Sequence, residues 1–96
     1  MQITGTIKAI GQDQHITANF VKRELVVTTE EQYPQHIAID FVNQQVDLLD
    51  RFKVGEPVVV SINLRGREWI SPTGEMKYFN SIQGWRCEHQ QGFQPS

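Results

Sequence analysis

Basic and aromatic residues are interleaved in one short stretch, LRGREWISPTGEMKYFNSIQGWR, which runs from Leu64 to Arg86. The stretch holds four cations and four aromatic rings around an SPTG turn, although the net charge of the 96-residue chain is −2. Rings on which bases can stack, combined with cations that neutralise phosphates, are the chemistry that binds single-stranded nucleic acid. The same pattern also suits an ordinary hairpin whose rings fill a core.

Alternation of side chains along the two strands of this hairpin selects candidate binding residues. Arg67 and Trp69 share a parity, so we expect them to emerge on one side of the hairpin. The return strand brings Lys77 and Tyr78 nearby, and an earlier strand carries Lys22 and Arg23, which would supply the far wall. We therefore predict a nucleic-acid-binding groove whose members are Lys22, Arg65, Arg67, Trp69, Lys77 and Tyr78.

Several of these residues also suit a purely structural role. Arg65 and Arg67 would form cross-strand ion pairs with Glu68 on a solvated face, an arrangement that contributes little free energy. The sequence supports that arrangement and binding about equally. Trp85 and Phe79 share a parity on the last strand, and we expect both rings in the core because barrels need large side chains inside.

The elements that must position these residues are mostly strands. Period-two alternation and β-branched runs predict five of them, over residues 1–10, 20–29, 36–42, 55–69 and 77–88. The polar segment 11–19 is predicted to be a loop. After the third strand the apolar spacing becomes helical in QQVDLLDRF, with Asn43 as the predicted N-cap and Gly55 suited to ending the helix.

This order predicts an all-β, five-stranded antiparallel OB-fold barrel with one short helix between strands 3 and 4. Closing so few strands requires bends, and we expect Gly5 and Gly66 to supply them. An SH3-like barrel is the main competitor, but it does not explain the helix. An OB barrel presents strands 2 and 3, with the loops after strands 1 and 4, to oligonucleotides. We place the domain at residues 1–88 and a flexible tail, which includes Phe93, at 89–96.

Composition and charge indicate a single small soluble domain. The middle of the chain, residues 29–63, has a charge balance of −4, whereas each flank has a balance of +1. This distribution favours a modest basic groove over a strongly basic surface. No apolar run reaches membrane-spanning length and no secretory signal pattern is present, so we expect a cytoplasmic protein. Cys87 lies in an apolar strand pattern and is predicted to be a core thiol.

Residues for metal binding or catalysis do not form any known pattern. The three histidines, His15, His36 and His89, are widely spaced and have no companion cysteines at zinc-site spacing. The sequence shows no glycine-rich phosphate loop, nucleophile motif or paired-carboxylate arrangement. We therefore predict no cofactor, no metal and no enzymatic activity.

Three segments carry a resemblance to a known family: KRELVVTTEEQYPQHIAIDF, FKVGEPVVVSINLRGREW and KYFNSIQGWRCE. Within them, QYP at 32–34, LRGREW at 64–69 and GWR at 84–86 are the recurring features. Over residues 1–88 the chain resembles a family of short bacterial and phage proteins that is known as a domain of unknown function and is grouped with OB-fold single-stranded-DNA-binding proteins. The resemblance implies an OB fold and a role in handling single-stranded DNA during replication, recombination or repair.

Two functional hypotheses follow from these observations. The first is a non-catalytic single-stranded-DNA-binding module that forms a homodimer or higher homo-oligomer, because one OB fold holds only about 4–16 nucleotides and repetition raises avidity. RNA is a further possible class of ligand, and the sequence does not decide between the two, since stacking and phosphate neutralisation do not distinguish ribose from deoxyribose. The second is a protein-interaction or assembly module of a replication, phage or defence complex, which the acidic middle of the chain favours.

Overall fold

Six β-strands and one short helix make up the part of the chain that the structure describes. The structure, a computed structural model, describes residues 1–93. The strands are β1 (Gln2–Ile10), β2 (Gln14–Thr17), β3 (Phe20–Thr29), β4 (His36–Val42), β5 (Pro57–Ile70) and β6 (Met76–His89). A 3-10 helix, Asn43–Arg51, lies between β4 and β5.

The five long strands form a closed ring. Strand order in the sheet is β1-β5-β6-β4-β3-β2, and an additional pairing of β1 with β3 completes the ring. The first strand makes this closure by changing partners, because residues 2–6 pair with β5 and residues 5–10 pair with β3. The pairing of β4 with β6 is parallel, through Asp40 and Gln83, whereas the sequence predicted an entirely antiparallel barrel.

Gly5 lies at the point where β1 changes partners, opposite both Thr29 and Val58. A β-carbon at this position would lie closer than 3.0 Å to the carbonyl oxygen of Thr28. The absence of a side chain therefore permits the close approach of β1 to β3 that closes the barrel.

The register of β5 against β6 runs without interruption through Gly66, which faces Asn80. The irregularity lies instead between Ser61 and Ile62, where Trp85 is the extra residue on β6. Such a bulge reverses the side-chain parity of every residue beyond it. This reversal decides on which face of the β5–β6 hairpin each side chain of β6 lies.

Two local elements also differ from the sequence predictions. Segment 11–19 contains a short strand, β2, which forms a hairpin with β3. Asn43 is the first residue of the 3-10 helix and not its N-cap, a position that Val42 occupies. The backbone of Asn43 has a φ of 53°, and its side-chain oxygen accepts a hydrogen bond from the backbone N–H of Val21 at 3.2 Å.

The core draws its buried residues from β1, β3, β4 and β5 and from the residues around the helix, and β6 packs against it through partly buried side chains. Its buried members are Ile7, Leu25, Val27, Ile39, Phe41, Leu49, Phe52, Val58, Val60 and Ile62. Val58, Val60 and Ile62 of β5 are buried up to the bulge, whereas Leu64, which has the same parity, is exposed beyond it. Cys87 packs against this core, and burial raises the pKa of its thiol to about 12. This packing of the half-buried Cys87 confirms its predicted position at the core, and a thiol with so high a pKa stays protonated at neutral pH.

The last strand extends through His89, and the chain stays packed against the barrel beyond it. The ring of His89 lies between those of Phe52 and Phe93, at centroid distances of 4.6 and 5.1 Å. Its Nε2 atom is 3.0 Å from Oε1 of Glu56. Phe93, which the sequence placed in a flexible tail, is thus half-buried on the barrel. Residues 94–96 of that tail lie outside the described residues.

We expect the Glu56 carboxylate to stabilise the fold at neutral pH. Its hydrogen bond with His89, assisted by one from the backbone N–H of Lys53, lowers the pKa of Glu56 below its usual value. A depressed pKa stabilises the folded state above the unfolded pKa, and this contribution is lost as the pH falls through the folded pKa. Glu56→Gln should therefore lower the midpoint of urea unfolding at pH 7, and its difference from the unmodified protein should be smaller at about pH 3, because it decreases as the pH falls through the lowered pKa of Glu56.

The exposed pair of Arg86 and Glu88 provides the control for this prediction. Glu88→Gln removes the carboxylate next to His89 at the end of β6 but leaves the contact of His89 with Glu56 intact. We expect a much smaller change in the midpoint of urea unfolding at either pH. A deficit in Glu56→Gln that persists undiminished at about pH 3 would show that charge at Glu56 is not its source.

Candidate nucleic-acid interface

Beyond the bulge, β5 and β6 continue as a two-stranded ribbon, residues 63–70 and 76–83, that is exposed on both faces except where Ile82 and Gln83 are half-buried. Residues directly opposite each other in an antiparallel pair lie on the same face. One face, called the groove face here, carries Asn63, Arg65, Arg67, Trp69, Lys77, Phe79, Ser81 and Gln83. The other, called the apolar face, carries Leu64, Gly66, Glu68, Ile70, Met76, Tyr78, Asn80 and Ile82.

Cations and rings form one continuous strip on the groove face. The guanidinium of Arg67 lies over the Phe79 ring, 5.7 Å from its centroid, and Nζ of Lys77 lies 5.9 Å from the centroid of Trp69. The two rings meet edge to face at a centroid distance of 6.5 Å. Trp69 is 43% exposed and Phe79 is 46% exposed. The strip therefore offers aromatic surface and positive charge to the solvent together.

A groove of about 450 Å³ separates this strip from the β2–β3 hairpin. Its ribbon side is lined by Arg65, Gly66, Arg67, Phe79, Asn80 and Ser81, and its hairpin side by Ile16, Phe20 and Lys22. The structure thus places Lys22 opposite the two arginines, as the far wall. Ile16 and Phe20 were not among the predicted site residues, although apolar residues that flank a short polar segment are a signal of a hairpin.

Among residues 1–93, no carboxylate forms an ion pair with Arg65, Arg67 or Lys77. Nε of Arg65 donates a hydrogen bond to the side-chain oxygen of Gln83 at 3.1 Å, which holds the guanidinium without neutralising it. Glu68 lies on the apolar face, so the predicted alternative of cross-strand ion pairs between Glu68 and the two arginines is wrong. The charges of these three cations are therefore available to an anionic ligand.

Comparison with known proteins defines the family of the chain and supports its fold. A family model described as Domain of unknown function (DUF3127) matches residues 2–88. The chain belongs to the DUF3127 family. This membership confirms the resemblance to a family of unknown function, and no curated protein matches the sequence.

Solved structures similar to the DUF3127 chain share its barrel. The mitochondrial single-stranded-DNA-binding protein Rim1 from S. cerevisiae has a TM-score of 0.62 and 18% identity, with 94% of this chain and 92% of Rim1 covered. A small single-stranded-DNA-binding protein from Streptomyces coelicolor has a TM-score of 0.61 and 17% identity, with 95% of this chain and 93% of that chain covered. At such identities the similarity shows the fold, and the predicted OB-fold barrel is confirmed.

The DUF3127 structure brings together five of the six predicted site residues. Lys22, Arg65, Arg67, Trp69 and Lys77 lie on the groove face or on the hairpin wall opposite it. Tyr78 is 69% exposed but lies on the apolar face.

Phe79 and Trp85 do not occupy the core, so that prediction is wrong for both. The physical reason is the bulge at Trp85, since an uninterrupted strand in register with Cys87 would turn both rings inwards. Instead Gly84 faces the core, where a β-carbon would collide with the ring of Phe41. Phe79 then emerges on the groove face, and Trp85 emerges at the bulge, outside the groove.

The structure offers neither a metal site nor a membrane-spanning helix within the residues it describes. No group of three or more His, Cys, Asp or Glu side chains in residues 1–93 is arranged to hold a metal ion. Over the same residues, no helix has both the length and the apolar character needed to cross a membrane.

Proposed function

We propose that this protein binds single-stranded DNA without catalysis, through the groove face and the β2–β3 hairpin, in replication, recombination or repair. The observation that carries the proposal is the strip of exposed rings and unpaired cations on the groove face. The similar structures named above are those of single-stranded-DNA-binding proteins, which supports the same ligand class.

In this proposal the rings and the cations of the strip have separate roles. Phe79 and Trp69 provide surfaces on which unpaired bases stack, at about 1–3 kcal/mol per base. Arg65, Arg67 and Lys77 neutralise the phosphates that accompany those bases. In a duplex the faces of the bases are covered by the base pairs stacked above and below them, so the same strip should discriminate against double-stranded DNA.

Titration of oligo-dT tests the proposal. Affinity should fall steeply between about 50 mM and about 200 mM NaCl, because phosphate contacts release counterions. A duplex of the same length should bind more weakly at both salt concentrations, and oligo-U in parallel reports whether the sugar matters. Absence of binding at low salt, or affinity without salt dependence, would refute the proposal.

Substitution of Arg67 should show whether its side chain contacts a phosphate of the bound DNA. Arg67→Gln should weaken oligo-dT binding and reduce the slope of log affinity against log salt by about 1. Arg51→Gln, which removes an exposed cation at the end of the helix, is the control and should leave the slope nearly unchanged. Equal slopes for the two variants would contradict the assignment of Arg67.

We also propose that two copies of the chain associate through their apolar faces. Leu64, Ile70, Met76 and Tyr78 are each more than half exposed there, on a ribbon with no second layer to stabilise it. Together they expose on the order of 500 Å², so two copies would bury roughly 1,000 Å², close to the lower limit of specific interfaces. Such a dimer leaves both groove faces open and raises avidity for long strands.

Light scattering after size exclusion tests the association. The unmodified protein should elute with the mass of a dimer, and a Leu64→Gln/Tyr78→Gln variant with that of a monomer. The variant should retain its affinity for an oligonucleotide of about 8 nucleotides, which occupies one groove. A monomeric mass for the unmodified protein at high concentration would contradict the proposed dimer.

The same apolar face favours the second candidate function, a protein-interaction module of a replication, phage or defence complex. The two candidate functions differ in whether the groove binds single-stranded DNA. A dimer that shows no affinity for oligo-dT at low salt would support the assembly module over the DNA-binding protein.

A further inference from the structure

The outer face of β3 and β4 differs from the groove face in charge and in ring content. Leu25, Val27, Ile39 and Phe41 are fully buried, so the residues that alternate with them face outwards. On this outer face Glu24 lies directly opposite Asp40, and the next pair is Val26 with Ala38. The eight outward residues of the paired segment include no phenylalanine, tyrosine or tryptophan: Lys22, Glu24, Val26, Thr28, His36, Ala38, Asp40 and Val42.

The charge on this face is set by one cation and two carboxylates. Lys22 is the cation, and its Nζ atom lies 3.9 Å from Oδ1 of Asp40. Arg23, the neighbouring cation on β3, points the other way, where it donates to the carbonyl of Gly11 and pairs with Asp50 at 2.7 Å. Two carboxylates directly opposite each other repel one another and any phosphate brought onto the face.

We infer that Glu24 and Asp40 are specificity-determining residues that exclude the DNA backbone from the β3–β4 face. This inference rests on the proposed function and adds the path that the bound DNA takes across the protein. An OB barrel ordinarily offers this face to oligonucleotides. Here a bound DNA strand is confined to the groove between the ribbon and the β2–β3 hairpin.

Confinement to the groove has two measurable consequences. The occupied site should be short, at the low end of the range of about 4–16 nucleotides per fold. In addition, Lys22 should contribute less to DNA affinity than its position in the groove suggests, because its charge is shared with Asp40. Both consequences should change when the carboxylates are removed.

A Glu24→Gln/Asp40→Asn variant tests the inference. With oligo-dT of about 20 nucleotides at low salt, its affinity should rise about tenfold over the unmodified protein, its salt slope should steepen, and its site size should increase. With about 6 nucleotides, which fit within the groove, the gain should be much smaller. The matched control, Asp47→Asn/Glu88→Gln, changes the net charge equally at exposed positions elsewhere, and its affinity should change less than about twofold.

Lys22→Gln provides a second readout. This substitution should reduce the affinity for oligo-dT only slightly in the unmodified protein. It should reduce the affinity more in the Glu24→Gln/Asp40→Asn background, where Lys22 is free to contact phosphate. If the unmodified protein binds oligo-dT but the double variant shows unchanged affinity, slope and site size, or if the control gains as much, the inference is overturned and the proposed function stands. If the unmodified protein does not bind, the proposed function fails, and the inference with it.

Discussion

A variant with both Trp69→Ala and Phe79→Ala should bind a short oligo-dT about a hundredfold more weakly than the unmodified protein. The two rings lie edge to face on the groove face, and each is nearly half exposed. Loss of about 1–3 kcal/mol of stacking at each ring gives a decrease of this order. The slope of affinity against salt should stay close to that of the unmodified protein, because the phosphate-binding cations remain.

Tyr78 provides a demanding control for this prediction, because it is adjacent to Phe79 in the sequence but lies on the opposite face of the ribbon. Tyr78→Ala should leave the affinity for an oligonucleotide of about 8 nucleotides within about twofold of the unmodified value. Fluorescence anisotropy of a labelled oligonucleotide measures all three proteins under the same conditions. A loss of affinity in Tyr78→Ala equal to that in the Trp69→Ala/Phe79→Ala variant would contradict the assignment of the two faces.

Gly5→Ala should destabilise the fold by roughly 3 kcal/mol, at the upper end of the range for overpacking. The added β-carbon would collide with the backbone carbonyl of Thr28, which cannot move aside as a flexible side chain can. The collision occurs where β1 changes partners, so relieving it requires β1 and β3 to separate. Thermal unfolding should show a decrease in Tm on the order of 10–20 °C for a domain of this size.

Gly66→Ala is the matched control for the effect at Gly5. The only close neighbour of a β-carbon there is the side-chain oxygen of Asn80 at 3.4 Å, an ordinary contact. We expect a change in Tm of a few degrees at most. Similar losses for the two variants would show that the close approach of β1 to β3 is not what makes glycine necessary at position 5.

The order of strands and helix could be predicted from the sequence because the signals are local. Alternation in HIAIDFV and in GEPVVVSIN identifies strands that are half in the core, and the change to helical spacing in QQVDLLDRF marks the one helix. The strand β2 could not be predicted in this way. It is four residues long and exposed throughout, so it carries no alternation of burial.

The faces of the ribbon could not be predicted because they depend on a contact between residues far apart in the chain. The Phe41 ring fills the space beside Gly84, so a residue with a β-carbon does not fit at this inward position, and Trp85 is the extra residue in the bulge next to it. The bulge in turn reverses the parity of Phe79 and Tyr78. The sequence supplied the residue types of the site, but a tertiary contact decided which ring belongs to it.

Nuclear magnetic resonance of the two tryptophan indoles would test the location of the site within a single titration. Trp69 lies on the groove face, whereas Trp85 lies at the bulge, outside the groove. Upon addition of short oligo-dT to the ¹⁵N-labelled protein, the indole N–H signal of Trp69 should shift or broaden, while that of Trp85 stays in place. A titration in which Trp85 responds and Trp69 does not, or in which neither signal moves at saturating oligonucleotide, would contradict binding at the groove face.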